Sequence, residues 1–126
     1  IEQLEQLHSL KTGALLLAAV LMPATCADNI DDADIGNFTK FAQLVGLAYQ
    51  VQDDIIDITS TEEQLGKPAG SDLAANKSTY PALLGLQGAI EKADDLYKQA
   101  LQALSALPYN TQELANFATF IIKRNS

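Results

Sequence analysis

Hydrophobic residues recur along the chain at the spacing of α-helices, three or four residues apart, and no segment shows the strict alternation typical of a half-buried strand. Pro23 should stop the first helix, because a proline lacks the amide N–H that a further turn needs. Gly88 is the expected weak point of the third helix. We therefore predict an all-α fold. The predicted helices span approximately residues 2–21, 35–58, 82–104 and 110–123. The predicted N-caps are Asp32 or Asp34 for the second helix and Asn110 or Thr111 for the fourth.

Length and composition narrow the class of protein. The chain has 126 residues, of which 48% are hydrophobic and 6% aromatic. That length favours a single helical region rather than two domains, and the scarcity of aromatic residues disfavours an all-β fold. The net charge of −8 argues against nucleic-acid binding, which needs clustered basic side chains. A single cysteine, Cys26, cannot form an internal disulfide, so we expect a reducing, cytoplasmic location.

The beginning of the chain reads as the middle of a helix, because Ile1 is not an initiator residue and a helical pattern already runs through the first ten positions. We therefore expect a processed chain or a piece of a longer protein. The apolar run Ala14–Met22 is shorter than the roughly 20 residues that cross a bilayer. Glu2 and Glu5 carry the wrong charge for the start of a signal peptide. We expect a buried helix here, with no membrane span.

An acidic run ends the second predicted helix, with the sequence Asp53-Asp54-Ile55-Ile56-Asp57. At 100° per residue, Gly46, Gln50, Asp53 and Asp57 fall within about 60° of one another and form one polar seam. Carboxylates at a helix C-terminus oppose the helix dipole by about 0.3–1 kcal/mol each. A hard divalent cation such as Mg²⁺ would relieve this cost, since it prefers oxygen ligands. The alternative is a solvated acidic face.

Two further segments contain residues that could bind a ligand or take part in a reaction. The connector of residues 59–78 is long, and Lys67 and Lys77 lie in it among glycines. These lysines are either plausible diphosphate ligands or surface residues. In the first helix, Thr12 and Gly13 are both poor helix formers, so we expect them to loosen the helix and free a carbonyl. His8, alone on an apolar helix, reads as a core residue.

Taken together, four motifs resemble those of one family, the trans-isoprenyl diphosphate synthases. They lie in the family's order over residues 8 to 85 and are most similar to the versions in bacterial farnesyl diphosphate synthases, also called geranyltranstransferases. The motifs are HSLKTGAL at residues 8–15, GLAYQVQDDIID at 46–57, LGKPAGSD at 65–72 and NKSTYPALLG at 76–85.

The resemblance implies an isoprenoid-synthase helical bundle that carries out Mg²⁺-dependent head-to-tail prenyl transfer. The substrates would be an allylic diphosphate, dimethylallyl or geranyl, and isopentenyl diphosphate, and the product farnesyl diphosphate. By the same resemblance, Asp53 would ligate Mg²⁺, with Asp54 and Asp57 supporting the metal and its waters.

The resemblance also implies roles for the basic and amide side chains. Lys11 and Lys67 would hold the allylic diphosphate, and Lys77 would lie close to it. The Lys11 carbonyl, the Thr12 hydroxyl and the Gln50 amide would stabilise the allylic cation. These assignments agree with the electrostatics of such a reaction. The metal ion and the lysines would neutralise the diphosphate, and the dipoles would stabilise the developing positive charge.

One departure from the family's pattern indicates which part of a family member this chain resembles. The family's other aspartate-rich motif and its isopentenyl diphosphate ligands are absent, so residues 1–126 resemble the C-terminal part of a polyprenyl synthetase domain whose N-terminal half is missing. We expect a homodimeric enzyme at full length, and no activity from this part alone. The alternatives are a non-catalytic helical partner or regulatory subunit that keeps the fold and, more distantly, a terpene cyclase.

Overall fold

The computed structural model describes residues 1–26, 30–60 and 78–125. Within these ranges the chain forms helices and no β-strand, so the predicted all-α fold is confirmed. The four helices are α1 (Glu2–Thr25), α2 (Asp32–Thr59), α3 (Tyr80–Ser105) and α4 (Gln112–Lys123).

Helix α1 is interrupted by a turn of π-helix. It is α-helical over Glu2–His8, π-helical over Ser9–Gly13 and α-helical again over Ala14–Thr25. The helix ends near Pro23, as predicted, but continues to Thr25, because a proline in the last turn removes a single hydrogen bond without preventing the turn from closing.

Helix α2 begins three residues earlier than predicted, and its cap is a different aspartate. Asp31 is the N-cap, and its carboxylate accepts a hydrogen bond of 2.8 Å from the backbone N–H of Asp34. Asp32 and Asp34, the predicted caps, instead occupy the first turn. Negative charge is favourable there because it faces the positive end of the helix dipole.

Helix α3 is capped by Thr79, whose hydroxyl accepts a 3.2 Å hydrogen bond from the N–H of Ala82. Its interruption lies at Gly85, with φ of 76°, and not at the predicted Gly88. A positive φ is accessible to glycine without steric cost, so the chain kinks where that freedom is used.

The two predicted cap residues of α4 each supply one feature of its N-terminus. Thr111 occupies the N-cap position, but its side chain makes no capping hydrogen bond. The side chain of Asn110 does so instead, accepting from the N–H of Gln112 at 3.2 Å. The helix ends at Lys123, as predicted.

Helix α2 is central and packs against the other three helices. Its first half joins one apolar cluster with α3 and α4, and its second half joins another with α1 and α3. The first cluster contains Phe41, Val45, Ala100, Ala103, Leu104, Leu107, Ala118 and Ile121. The second contains Leu4, Ala48, Val51, Ile55, Tyr80, Ala89, Ala93 and Leu96.

The second half of α1 is far more exposed than expected. Leu15 is 73% exposed and Met22 is 68% exposed, and Ala24 is the buried residue of this half. The prediction of a buried helix over Ala14–Met22 is therefore wrong. One side of this half packs on α2, while its apolar outer side faces solvent.

Among the described residues, one helix, Glu2–Thr25, is long and apolar enough to cross a membrane by length and composition. The core helix of a soluble protein or a signal sequence meets the same test, so this property does not establish a membrane span.

Candidate active site

The candidate site is built where the π-helical turn of α1 crosses α2. In this turn the N–H of Ala14 donates to the carbonyl of Ser9, five residues earlier. The looseness predicted from Thr12 and Gly13 thus takes the form of a π-turn, a feature often found at functional sites. An ideal Cβ on Gly46 would lie 3.0 Å from the Cα of Gly13. The two glycines therefore allow the helix backbones to approach closely.

One turn along α2 from this crossing, two of the predicted catalytic side chains meet. The Nε2 of Gln50 donates a 2.5 Å hydrogen bond to the Oγ1 of Thr12. Gln50 is buried, so its amide is held in one orientation by surrounding atoms. The structure thus brings together residues that lie 38 positions apart in sequence.

A cavity of about 750 Å³ opens beside this pair. Its polar lining residues include Lys11, Gln50, Asp53 and Asp54, and its apolar lining residues include Leu4, Leu7 and Leu83. The side chains of Lys11 and Asp53 are exposed at the cavity. A cavity lined by both charged groups and leucines suits a ligand that has an ionic head and a hydrocarbon body.

The three predicted metal ligands have different environments. The Asp53 side chain is 50% exposed at the cavity. Asp54 also lines the cavity but is buried, and its Oδ2 accepts a 3.0 Å hydrogen bond from the N–H of Tyr80. Asp57 is 2% exposed, and the cavity wall formed by the described residues does not include it.

The predicted polar seam is thus only partly realised. Gln50 and Asp53 face the cavity, as predicted, whereas Gly46 packs on α1 and Asp57 is buried in the protein. Across residues 1–26, 30–60 and 78–125, no three His, Cys, Asp or Glu side chains converge as a ready metal site. Adjacent helical residues point about 100° apart, so Asp53 and Asp54 do not share one direction.

His8, which lines the cavity, is buried and packs against the buried ring of Tyr80. Their rings lie 5.5 Å apart between centroids, at 44°. Burial lowers the pKa of His8, the charge of Lys11 lowers it further, and Asp53 opposes the shift. Burial raises the pKa of Tyr80, with contributions from the charges of Glu5 and Asp54. Both side chains are therefore neutral near pH 7, which agrees with His8 as a core residue.

Sequence reasoning missed Arg124 as a contributor to this site. Its guanidinium NH2 lies 3.4 Å from the Oδ1 of Asp53 and 3.3 Å from the carbonyl of Tyr49. In the sequence, the available signal was only a basic residue directly after the last helix, 71 positions from Asp53. Lys67 and Lys77, the other predicted diphosphate ligands, lie outside the described residues.

Comparison with known proteins identifies the family. The model of the polyprenyl synthetase family matches residues 1–119, almost the whole chain. The chain belongs to the polyprenyl synthetase family. The family resemblance found in the four sequence motifs is thereby confirmed.

Several relatives of the chain are prenyl diphosphate synthases. It is 46% identical over its full length to farnesyl diphosphate synthase of Haemophilus influenzae, covering 43% of that protein. It is 41% identical over its full length to geranylgeranyl diphosphate synthase of Cyanophora paradoxa, covering 42% of it.

Among solved structures, the chain is similar to geranylgeranyl pyrophosphate synthetase of Pyrococcus horikoshii, with a TM-score of 0.80 and 26% identity. That match covers 93% of this chain and 47% of the other. The chain thus spans less than half the length of each of these three synthases.

Proposed function

We propose that this chain forms part of a prenyltransferase that joins an allylic diphosphate head-to-tail to isopentenyl diphosphate. Membership of the polyprenyl synthetase family supports the proposal, as do relatives named farnesyl and geranylgeranyl diphosphate synthases. The observation that carries it is one cavity that brings together the Lys11 ammonium, the Asp53 carboxylate and the Gln50 amide bonded to Thr12.

The basic and polar residues of the cavity have distinct proposed roles. Lys11 binds the allylic diphosphate as a compact positive charge. Gln50 and Thr12 present oriented dipoles to the carbon chain where positive charge develops, and the buried hydrogen bond between them fixes that orientation in advance. The leucines that line the cavity contact the hydrocarbon body. Lys67 and Lys77 are proposed as further diphosphate ligands.

The acidic residues fit a Mg²⁺ ion that is shared with substrate. Mg²⁺ uses one or two protein carboxylates and completes its shell with water and phosphate oxygens, so a preformed cage of three ligands is not required. Asp53 is the exposed carboxylate and the proposed ligand. Asp54, which accepts from Tyr80, and buried Asp57 support it. When bound, Mg²⁺ would neutralise charge on the departing diphosphate.

We further propose that the product is farnesyl diphosphate, made from dimethylallyl or geranyl diphosphate. The basis is the Lys-Thr-Gly triplet at residues 11–13 and the Lys-Ser-Thr-Tyr-Pro run at 77–81, together with the match to Haemophilus influenzae farnesyl diphosphate synthase. The enzyme is proposed to be a cytoplasmic homodimer in which an N-terminal half supplies the second carboxylate motif and the isopentenyl diphosphate site.

The isolated chain is proposed to be inactive, because one carboxylate face holds only one side of the diphosphate. The test incubates the isolated chain, and separately a longer protein that contains it, with geranyl and isopentenyl diphosphates and Mg²⁺. We expect the longer protein to form farnesyl diphosphate. The isolated chain should form no prenyl diphosphate longer than its geranyl substrate. Absence of prenyl transfer by a folded longer protein would contradict the proposed function.

A further inference from the structure

The segment that follows α4 is fastened along the last three turns of α2. The backbone carbonyl of Arg124 accepts a 3.0 Å hydrogen bond from the Nε2 of Gln52. The carbonyl of Asn125 accepts a 2.5 Å hydrogen bond from the hydroxyl of Ser60. These anchors lie on either side of the acidic run that begins at Asp53 and hold the backbone of the segment beside it, whereas the Arg124 side chain makes separate contacts with α2.

The Arg124 side chain is held firmly on one side and faces Asp53 on the other. Only 11% of it is exposed. Its guanidinium carbon lies 4.2 Å from the centre of the Tyr49 ring, an arrangement that favours a cation over the aromatic face. Its NH2 also donates to the carbonyl of Tyr49 at 3.3 Å. The position of the positive charge is therefore set by α2 itself.

The contact with Asp53 is loose compared with a tight ion pair. The separation of 3.4 Å exceeds the about 2.7–2.9 Å typical of charge-assisted hydrogen bonds, and the Asp53 side chain is half exposed. Such a contact orients the carboxylate and neutralises part of its charge while leaving it accessible from the cavity. A cation that binds Asp53 must work against the positive charge of Arg124.

We propose that Arg124 is a positioning residue for Asp53, holding its carboxylate at the cavity and competing with the metal ion for its charge. This inference rests on the proposed function, which assigns Asp53 to the metal. It adds that the segment after α4 sets the affinity of the acidic run for a divalent cation. The contrasting role is a purely structural one, in which Arg124 only anchors that segment.

The experiment measures Mn²⁺ binding to the isolated chain by electron paramagnetic resonance, without diphosphate. Replacing Arg124 by glutamine removes the charge but keeps an amide donor. The Arg124 guanidinium lies 3.4 Å from the Oδ1 of Asp53, so removing its positive charge should strengthen the attraction of Asp53 for a cation. We expect Arg124→Gln to bind Mn²⁺ about threefold to tenfold more tightly. Arg124→Lys retains the charge and should remain near the wild-type affinity.

Two controls separate charge competition from other effects. Lys123→Gln makes the same change of net charge one residue earlier, at an exposed position, and should alter the Mn²⁺ affinity by less than about twofold. Gln52→Ala removes an anchor of the segment without changing any charge. It should leave the affinity unchanged, and circular dichroism would verify that every variant is folded.

The outcomes separate this inference from the proposed function. Asp53→Asn should weaken Mn²⁺ binding, and if it does not, the assignment of Asp53 to the metal fails and the inference fails with it. If Asp53→Asn weakens binding while Arg124→Gln has no effect, only the inference is overturned. An equal gain in affinity from Gln52→Ala or Lys123→Gln would also overturn it, because the effect would then be structural or long-range.

Discussion

The two halves of α2 pack against the same neighbouring helix but have opposite chemistry. In its first half, Phe41 and Val45 are enclosed by apolar side chains from α3 and α4. In its second half, apolar residues such as Val51 share the interior with Gln50 and two carboxylates, Asp54 and Asp57. Burying a carboxylate costs several kcal/mol of desolvation that its partners must offset.

This difference indicates that the residues of the second half of α2 serve a purpose besides stabilising the fold. Apart from Asp34, the buried polar side chains of the described residues lie near the cavity end of the bundle. They are His8, Gln50, Asp54, Asp57, Ser60 and Thr79. A helix selected for stability alone would have leucine or valine at such positions, whereas a binding site needs oriented polar groups.

The largest expected effect on stability comes from the apolar half. Phe41 is fully buried, and Phe41→Ala should lower the free energy of unfolding by about 3–5 kcal/mol, through lost burial and the cavity left behind. Phe120→Ala is the matched control, since Phe120 is 65% exposed, and should change it by less than about 0.5 kcal/mol. Urea denaturation of the isolated chain measures both, and equal losses would contradict the assigned core.

A substitution in the polar half of α2 should lower catalytic activity rather than the free energy of unfolding. In the longer enzyme, Asp53→Ala should lower kcat by about 10²–10³ or more, because it removes a positioned group at the reacting diphosphate. Its free energy of unfolding should change little, since the side chain is half exposed. Asp94→Ala, which removes an exposed partner of Lys98, is the control for an acidic residue away from the cavity. Steady-state kinetics that showed similar losses for both variants would disprove the site assignment.

The helix crossing that links the two halves can be tested with two glycines of α2. Gly46→Ala would place a Cβ 3.0 Å from the Gly13 backbone and should destabilise the chain by about 1–3 kcal/mol. Gly36→Ala meets nothing within 4 Å and should stabilise it by about 0.5–1 kcal/mol, since alanine is the better helix former. Thermal unfolding compares the two, and the same sign for both would refute the close crossing.

The smallest effect concerns pH. Because the folded state lowers the pKa of His8, the unfolded chain binds more protons once the pH falls below about 6.5, the ordinary value for histidine. The free energy of unfolding should therefore be unaffected by His8 well above pH 6.5 and should decline as the pH falls through about 6.5 toward the lower pKa of the folded state. His8→Gln should flatten the pH dependence of the midpoint of thermal unfolding across this window. An unchanged slope in the variant would show that another group titrates.

The sequence alone was sufficient for the helices, the family and part of the site. Helical spacing of apolar residues is a local property, so the all-α fold was predictable. The motifs at residues 8–15 and 46–57 singled out Lys11, Thr12, Gln50 and Asp53 as candidates, and all four lie around one crossing. Helix ends were less accurate, because which aspartate caps α2 and which glycine kinks α3 depend on packing.

Only the tertiary structure decided how the acidic run is divided and what faces it. A helical wheel places Asp53 and Asp57 on one seam, but in the folded chain the Asp53 side chain is half exposed and Asp57 is buried. The ion pair of Asp53 with Arg124 joins residues 71 positions apart, and no local pattern specifies such a contact. Sequence periodicity fixes the direction of a side chain from its own helix, whereas burial and charge partners depend on which other helices pack against that face.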